Sequence, residues 1–275
     1  RDGLWKPATE LLSFGHLPET RRALMRDLEL ACEQACDEEA GHALGDRMRV
    51  AEALIARGSV VYAEDHIGHG RSHGERALIT DFEHVVDDLH ALAGIARTEH
   101  PGLPLLLVGH SMGGLLSARF GQRWPEEVAG IGFCGAVIGD WTWARDVLMA
   151  PELPHIVFDP LAISRDPAVG AAYAEDELVY HGQYKRGLLE AEVVALDRFA
   201  QEIDRLTMPV ALFHGTSDPF VPYERSLQAV RDMPAEDTEV HVYEDGRHEV
   251  LNDSNRAQVI SDLADWTERV APARR

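Results

Sequence analysis

The sequence predicts an α/β fold, with a mostly parallel β-sheet and helices on both of its faces. From residue 59 onward, short continuous apolar runs that are typical of buried strands alternate with longer segments of helical periodicity. The chain has 275 residues, and no internal repeat, low-complexity tract or Gly/Ser linker divides it. We therefore expect residues 1–275 to form a single domain with a sizeable core.

The first 50 residues are the least regular part of the sequence. Residues 19–40 have apolar positions at helical spacing among many charges. Residues 47–57 predict a second, shorter amphipathic helix that ends at Gly58. We expect this N-terminal part to be atypical for the fold.

The elements after residue 58 are more explicit. The predicted strands are residues 59–63, 103–108, 128–138, 210–213 and 239–243. The predicted helices run from Asp81 to a stop before Pro101, and over residues 115–120, 223–233 and about 255–270.

Residues 139–206 interrupt this alternation. The segment begins with Trp141 and Trp143, contains further apolar and aromatic groups, and is punctuated by four prolines. An insertion of this size between two strands predicts a helical cap over a functional site. The alternative is an ordinary helical layer whose apolar residues face the sheet.

The composition disfavours several kinds of partner. The formal net charge of −21 argues against nucleic acid and anionic membrane surfaces, since both would repel the chain. No apolar run reaches the roughly 18–20 residues that span a bilayer, and residues 1–5 show no apolar region of a signal peptide.

The cysteines Cys32, Cys36 and Cys134 have no metal-ligand spacing, and a disulfide between the first two would constrain little. A reducing compartment, and hence a cytoplasmic location, is expected.

Residues 109–114 (GHSMGG) carry the strongest chemical signal. They join a predicted buried strand to a predicted helix in the order strand, G-x-S-x-G, helix, which is the nucleophile elbow. The turn needs small residues two before and two after the serine, and both are glycine. The motif predicts Ser111 as a nucleophile and the backbone N–H of Met112 as an oxyanion donor. The alternative is a glycine-rich connection with an idle serine.

Asp218 and His248 complete a candidate catalytic set. A serine hydroxyl needs a histidine to accept its proton, and that histidine needs a carboxylate to fix its tautomer. Both residues sit in loops just after predicted strands, at the sheet edge where Ser111 must also lie. Taken singly, Asp218 could be a turn residue before Pro219, and His248 a solvated loop histidine. The chain order Ser111, Asp218, His248 favours the catalytic interpretation, because it is the order of α/β-hydrolases.

Three histidines in one loop, His66, His69 and His73, raise the question of a metal site. No second cluster of Cys, His or Asp supplies a fourth ligand, and a glycine-rich loop gives no reason for the rings to converge. We therefore predict no metal. His110, beside the candidate nucleophile, is predicted to point away from it and to be structural.

Five motifs together carry a family resemblance: residues 65–72 (DHIGHGRS), 109–114 (GHSMGG), 163–167 (ISRDP), 214–218 (HGTSD) and 248–252 (HEVLN). From about residue 45 to the C-terminus, the chain resembles the monoacylglycerol lipase family of the α/β-hydrolase superfamily, which is related to lysophospholipases. The resemblance implies a serine hydrolase without a cofactor that releases fatty acid from glycerol monoesters. It implies Ser111, Asp218 and His248 as the triad, Met112 N–H as one oxyanion donor, and residues 139–206 as a lipid-binding cap. Residues 171–176 (AAYAED) match a stretch where the family places a tyrosine near the glycerol group, which suggests Tyr173 as a substrate-binding residue.

The N-terminal part departs from the family pattern. The family carries a strand ending in His-Gly shortly before the strand that leads to Asp65, and the loop after it gives the second oxyanion donor. Residues 33–42 show no such strand, and residues 11–16 (LLSFGH) lie too far upstream, with the dipeptide reversed. The second donor therefore stays unassigned. This departure motivates a rival interpretation, a non-catalytic α/β-hydrolase-like protein that binds acyl ligands under the cap.

Several substrates are compatible with the same triad. A lysophospholipase, a short-chain or general carboxylesterase and an aminopeptidase would all use it, whereas an epoxide hydrolase or a dehalogenase needs a carboxylate in place of Ser111. The expected partner is a small lipid, most simply a monoacylglycerol, whose neutral head group suits an acidic chain. Contact with a neutral lipid surface would be transient and made through the cap.

Overall fold

The computed structural model describes residues 10–14 and 43–272 of the chain. In this part, six strands form one sheet: β1 (Glu10–Phe14), β2 (Val60–Tyr62), β3 (Leu105–His110), β4 (Gly130–Cys134), β5 (Val210–Gly215) and β6 (Thr238–Tyr243). The helices are α1 (Ala43–Ala56), α2 (Phe82–Glu99), α3 (Met112–Arg123), α4 (Thr142–Leu148), α5 (Pro167–Glu175), α6 (Arg186–Gln201), α7 (Tyr223–Asp232) and α8 (Arg256–Val270).

The sheet is mostly parallel, and its strand order is β2-β1-β3-β4-β5-β6. Strands β3 to β6 pair in parallel, whereas β1 is antiparallel to both of its neighbours, β2 and β3. Strands and helices alternate along most of the described chain. The predicted α/β class is confirmed.

Two hydrophobic cores cover the two faces of the sheet. In β3, Leu105 and Leu107 belong to one core, while Leu106 and Val108 belong to the other, since successive side chains of a strand point to opposite faces. The first core is completed by α2, α3, α6 and α7, and the second by α1 and α8. Because helices cover both faces of the sheet, we expect a ligand to enter at the edge of the sheet and not at a face.

Strand β1 fills the place beside the strand that leads into Ser111. Residues 10–14, whose sequence position is too far upstream for the family's His-Gly strand, pair with β3 in an antiparallel register that matches Glu10 with Gly109 and Phe14 with Leu105. Because of this direction, the first residue of β1, and not its last, lies at the Ser111 end of β3. The helix predicted over residues 19–40, and residues 33–42, lie outside the described residues.

Several element boundaries differ from the prediction, and two of them have a clear local cause. β4 ends at Cys134 and does not continue to residue 138, because Gly135 turns the chain with a φ of 51°. A Cβ at Gly135 would lie 2.9 Å from the carbonyl oxygen of His248, so this turn brings the end of β4 against the His248 loop. At the start of α2, Asp81 is the N-cap, and its side chain accepts a hydrogen bond from the N–H of Glu83.

Residues 139–206 contain α4, α5 and α6, joined by long irregular stretches. One face of α6 packs against α3 and is part of the first core, so this helix is also a layer on the sheet. Among the described residues, no helix is both long enough and apolar enough to cross a membrane.

Candidate active site

Ser111 sits on a strained turn between β3 and α3. Its backbone has a φ of 54° and a ψ of −121°, a conformation that non-glycine residues rarely adopt. A Cβ added at Gly109 would overlap the backbone of Gly113, which explains why the turn needs glycine before the serine. The Ser111 N–H donates to Cys134 O (3.1 Å), and Ser111 O accepts from Val137 N–H (2.9 Å), so β4 and its following loop hold the turn.

His248 lies between Ser111 and Asp218. Its Nε2 is 3.0 Å from Ser111 Oγ, and its Nδ1 is 2.8 Å from Asp218 Oδ2. Asp218 follows β5 and His248 follows β6, so three strand ends bring the three predicted residues together. With Nδ1 donating to the carboxylate, Nε2 is free to accept the serine proton.

The environment of Asp218 keeps its carboxylate charged. Burial alone would raise its pKa, but the nearby His248, its hydrogen bond and the N–H of Val221 outweigh burial and hold the Asp218 pKa below its usual value. Oδ1 accepts from the N–H groups of Phe220 (2.8 Å) and Val221 (2.9 Å), which fixes the carboxylate plane. Burial lowers the pKa of His214, whose Nε2 is 4.0 Å from the same carboxylate, so His214 stays neutral there.

Met112 is the first residue of α3. The N–H groups of a first helical turn have no partner within the helix and point along its axis. This position at the start of α3, directly after Ser111, is compatible with the predicted role of the Met112 N–H as an oxyanion donor. No second donor is predicted from the sequence, and β1, which lies beside β3, runs antiparallel to it.

His110 and Glu249 form a pair beside His248 that no sequence motif predicted. The His110 ring centroid is 4.8 Å from that of His248, its Nδ1 is 2.9 Å from Cys134 O, and its Nε2 is 3.3 Å from Glu249 Oε1. Burial alone would lower the His110 pKa, but the charge of Glu249 outweighs it and raises that pKa. In return, the charge of His110 holds the Glu249 pKa well below its usual range despite burial. The acidic residue directly after His248 was the sequence feature that could have indicated this pair.

Asp253 ties the His248 loop to residues 163–166. Its buried carboxylate accepts from the backbone N–H groups of Arg165 (2.8 Å) and Arg247 (2.9 Å), and from Arg165 Nε (3.0 Å). The N–H of Glu249 also donates to Ile163 O (2.9 Å). Burial would raise the Asp253 pKa, but these donors outweigh it and lower that pKa. We call this set of contacts the latch; it joins the ISRDP motif to the loop of the histidine motif.

A series of aromatic side chains in contact with one another runs from His248 into residues 139–206. We use the term aromatic row for Phe220, Trp141, Trp143 and Tyr184. The Phe220 ring lies 5.4 Å from that of His248, and Trp141 Nε1 donates to Phe220 O (3.4 Å). Trp143 then packs on Trp141 at 5.1 Å and on Tyr184 at 5.4 Å.

Tyr173 belongs to a second series of packed rings, which also includes Phe220. It packs on Phe158 at 5.4 Å, and Phe158 stacks on Phe220 at 5.0 Å. Tyr173 is therefore linked to the neighbourhood of His248 through Phe158 and Phe220.

The histidine-rich loop shows no metal-ligand arrangement. His66 is buried, Nδ1 of His69 lies 3.0 Å from Ile67 O, and His73 is exposed. Within the described ranges, no group of three His, Cys, Asp or Glu side chains is placed to hold a metal ion. Cys134 is a buried free thiol, and burial raises its pKa to about 12.

Known proteins share this sequence and architecture. Residues 40–255 match a family described as serine aminopeptidase, S33. The chain is 36% identical over 226 residues to a monoacylglycerol lipase of Mycolicibacterium smegmatis, and the aligned region covers 79% of this chain and 81% of that protein. It is 27% identical over 252 residues to the monoglyceride lipase of Rattus norvegicus, with 85% and 82% covered. The crystal structure of Paleococcus ferrophilus monoacylglycerol lipase is similar in fold, with a TM-score of 0.71, 23% identity, and 84% and 91% of the two chains covered.

Proposed function

Since this chain belongs to the monoacylglycerol lipase family of α/β-hydrolases, we propose that it is a serine ester hydrolase that splits monoacylglycerols into fatty acid and glycerol. The observation that carries the proposal is the continuous line of hydrogen bonds from Asp218 through His248 to Ser111. The monoacylglycerol lipases that the chain is similar to supply the substrate class.

Acylation begins with a proton transfer. His248 Nε2 accepts the Ser111 proton as Oγ attacks the carbonyl carbon of the ester. Asp218 stabilises the imidazolium that forms, and the Met112 N–H donates to the oxyanion. The bond between the acyl carbon and the glycerol oxygen then breaks, and glycerol leaves with the proton from Nε2.

Deacylation uses the same groups in a second cycle. Water gives a proton to His248 Nε2 and attacks the acyl carbon, and the fatty acid leaves as Ser111 Oγ takes the proton back. Atoms and charges balance over the two steps with water as the only further reactant, so the proposal includes no cofactor and no metal.

In this proposal, residues 139–206 form the cap over the acyl chain. The aromatic row and Phe158 offer an apolar lining that reaches from His248 into the segment. Tyr173, beside Phe158, is proposed to contact the substrate head group. Large apolar side chains on the segment's outer surface support brief contact with a neutral lipid surface, since Met149 is 85% and Val157 80% exposed.

A fluorophosphonate probe tests the triad directly. We expect strong labelling of the wild-type protein, none of Ser111→Ala, and much weaker labelling of His248→Ala and Asp218→Asn. The exposed Ser254 provides a matched control, because Ser254→Ala should label like the wild type. Circular dichroism on each variant separates loss of chemistry from loss of fold.

The substrate class needs a second assay. Hydrolysis of a glycerol monoester, a lysophospholipid and an aminoacyl amide with the same Ser111→Ala control should favour the glycerol monoester. A folded wild-type protein without labelling or turnover would contradict the proposal and favour an acyl-binding protein.

A further inference from the structure

His110 and Glu249 are each the sequence neighbour of a triad residue. His110 directly precedes Ser111 at the end of β3. Glu249 directly follows His248 in the loop after β6. The distance from His110 Nε2 to Glu249 Oε1 is 3.3 Å, and the distance from Ser111 Oγ to His248 Nε2 is 3.0 Å. The ion pair and the catalytic hydrogen bond therefore join the same two segments of the chain.

A further contact holds each member of this pair. His110 Nδ1 lies 2.9 Å from Cys134 O, the same carbonyl oxygen that accepts the Ser111 N–H at 3.1 Å. On the other side, Asn252 Nδ2 donates to Glu249 Oε2 (2.8 Å). Both nitrogens of the His110 ring face an oxygen acceptor, so the ring is best satisfied as an imidazolium that donates twice. The two side chains are only 19% and 21% exposed, so water and salt screen their attraction weakly.

The pair also determines the charges that His248 experiences. The ring centroids of His110 and His248 are 4.8 Å apart, so a positive charge on one disfavours a positive charge on the other. The Glu249 carboxylate has the opposite effect, and the charges of both histidines lower the Glu249 pKa. The other titratable groups that face these rings are Asp218 and the neutral His214. With both members of the pair charged, their effects largely offset each other, which leaves Asp218 as the main partner of the imidazolium.

We propose that the His110–Glu249 ion pair positions the catalytic base for ester hydrolysis. It braces the turn that carries the nucleophile against the loop that carries His248, and its balanced charge keeps Nε2 free to accept a proton. This inference rests on the proposed function. The two members contribute differently: loss of the Glu249 charge lets His110 give up its proton, so no net charge remains. Loss of His110 leaves a carboxylate that Asn252 still holds, and this carboxylate favours protonation of His248.

Three variants test this asymmetry: His110→Gln, Glu249→Gln and the double substitution. Glutamine keeps a polar amide at each position and removes the charge. His90→Gln is the matched control, because His90 Nε2 pairs with Glu127 Oε2 at 3.0 Å beyond the C-terminal end of α3, whereas the triad lies at its N-terminal end. Arg97 keeps Glu127 paired in that control. Each protein is measured as kcat and KM for a glycerol monoester over a series of pH values, with urea unfolding as a check of the fold.

We expect His110→Gln to move the acidic limb of the kcat/KM profile by about one unit toward higher pH, because an unbalanced carboxylate favours the imidazolium. Glu249→Gln should leave that limb near its wild-type position. Both substitutions should lower kcat about tenfold through loss of the brace, with a smaller change in KM. The double variant should return the limb to its wild-type position and lower kcat no further than the worse single variant, since the two residues act as a unit. His90→Gln should match the wild type.

The inference is wrong if hydrolysis persists and the acidic limb of His110→Gln coincides with that of the wild type. It is also wrong if the two single losses in kcat multiply in the double variant, because independent effects exclude a shared brace. If His110→Gln does not fold, Glu249→Gln carries the test, and a kcat equal to that of the wild type overturns the brace.

NMR titration of the His248 ring separates this inference from the proposed function. A wild-type protein that hydrolyses no ester contradicts the proposed function, and the charge balance is then read from the titration alone. The midpoint of His248 should lie about one pH unit higher in His110→Gln than in the wild type, and should return in the double variant. Equal midpoints in all three proteins would refute the charge balance.

Discussion

Replacing Glu192 by leucine should make the protein more stable, and the gain should grow with pH. Glu192 lies on the buried face of α6, where it is only 4% exposed, and burial raises its pKa from 4.5 to about 8. Between pH 4.5 and about pH 8, residue 192 has released its proton in the unfolded chain but still holds it in the folded chain. Folding therefore takes up a proton, and stability falls as pH rises through the window. Leucine removes this dependence and also removes a buried carboxyl from an apolar site.

The size of the effect follows from the pKa difference. Each pH unit between the two values changes the free energy of unfolding by about 1.4 kcal/mol. Between about pH 5 and about pH 8, the wild type should lose about 4 kcal/mol through this one group, and Glu192→Leu should not lose it. Burial and the charge of Glu192 raise the pKa of Tyr184, so Tyr184 keeps its proton over the same range.

Urea unfolding at a series of pH values measures this difference. The free energy of unfolding of Glu192→Leu minus that of the wild type should rise steadily from about pH 5 and level off above about pH 8. Glu190→Leu, on the exposed face of α6, should follow the wild-type slope. Parallel curves for Glu192→Leu and the wild type would show that the Glu192 carboxyl is solvated and would refute the reasoning.

Three further predictions test the architecture of the site. Asp218→Asn should lower kcat about ten-thousandfold in an ester assay, because the amide favours the wrong histidine tautomer, and an unchanged pH-rate profile with high activity would contradict this. Gly114→Ala should lower the free energy of unfolding by about 1–3 kcal/mol, because the new Cβ overlaps that of Ala136. A second substitution, Ala136→Gly, should restore most of that loss in urea unfolding. Glu249→Gln removes the charge that raises the His110 pKa, so NMR titration should show His110 losing its proton at lower pH than in the wild type.

The meeting of Ser111, His248 and Asp218 was predictable because each of them has a local signal at a strand end. The glycines around Ser111 reflect the overlap that any Cβ at Gly109 would cause. Asp218 and His248 follow strands whose apolar runs are plain in the sequence, and parallel strands end at one edge. The structure adds the distances and the hydrogen bonds that orient the Asp218 carboxylate.

Other features depend on contacts between residues far apart in sequence. Residues 11–14 join the sheet antiparallel to β3, a pairing that no spacing rule indicates. The partner of His110 is Glu249, more than a hundred residues away, and Glu192 lies in a helix whose periodicity predicts only a buried leucine. Such polar groups depart from the local sequence pattern, and their surroundings exist only in the folded chain.

The latch at Asp253 joins the middle of residues 139–206 to the loop that carries His248. Arg165 is held there twice, because its backbone N–H and its side chain both donate to the Asp253 carboxylate. The N–H of Glu249 donates to Ile163 O in the same region. A displacement of residues 163–166 would therefore be transmitted to the backbone beside His248, so the positions of these two parts of the chain are mechanically coupled.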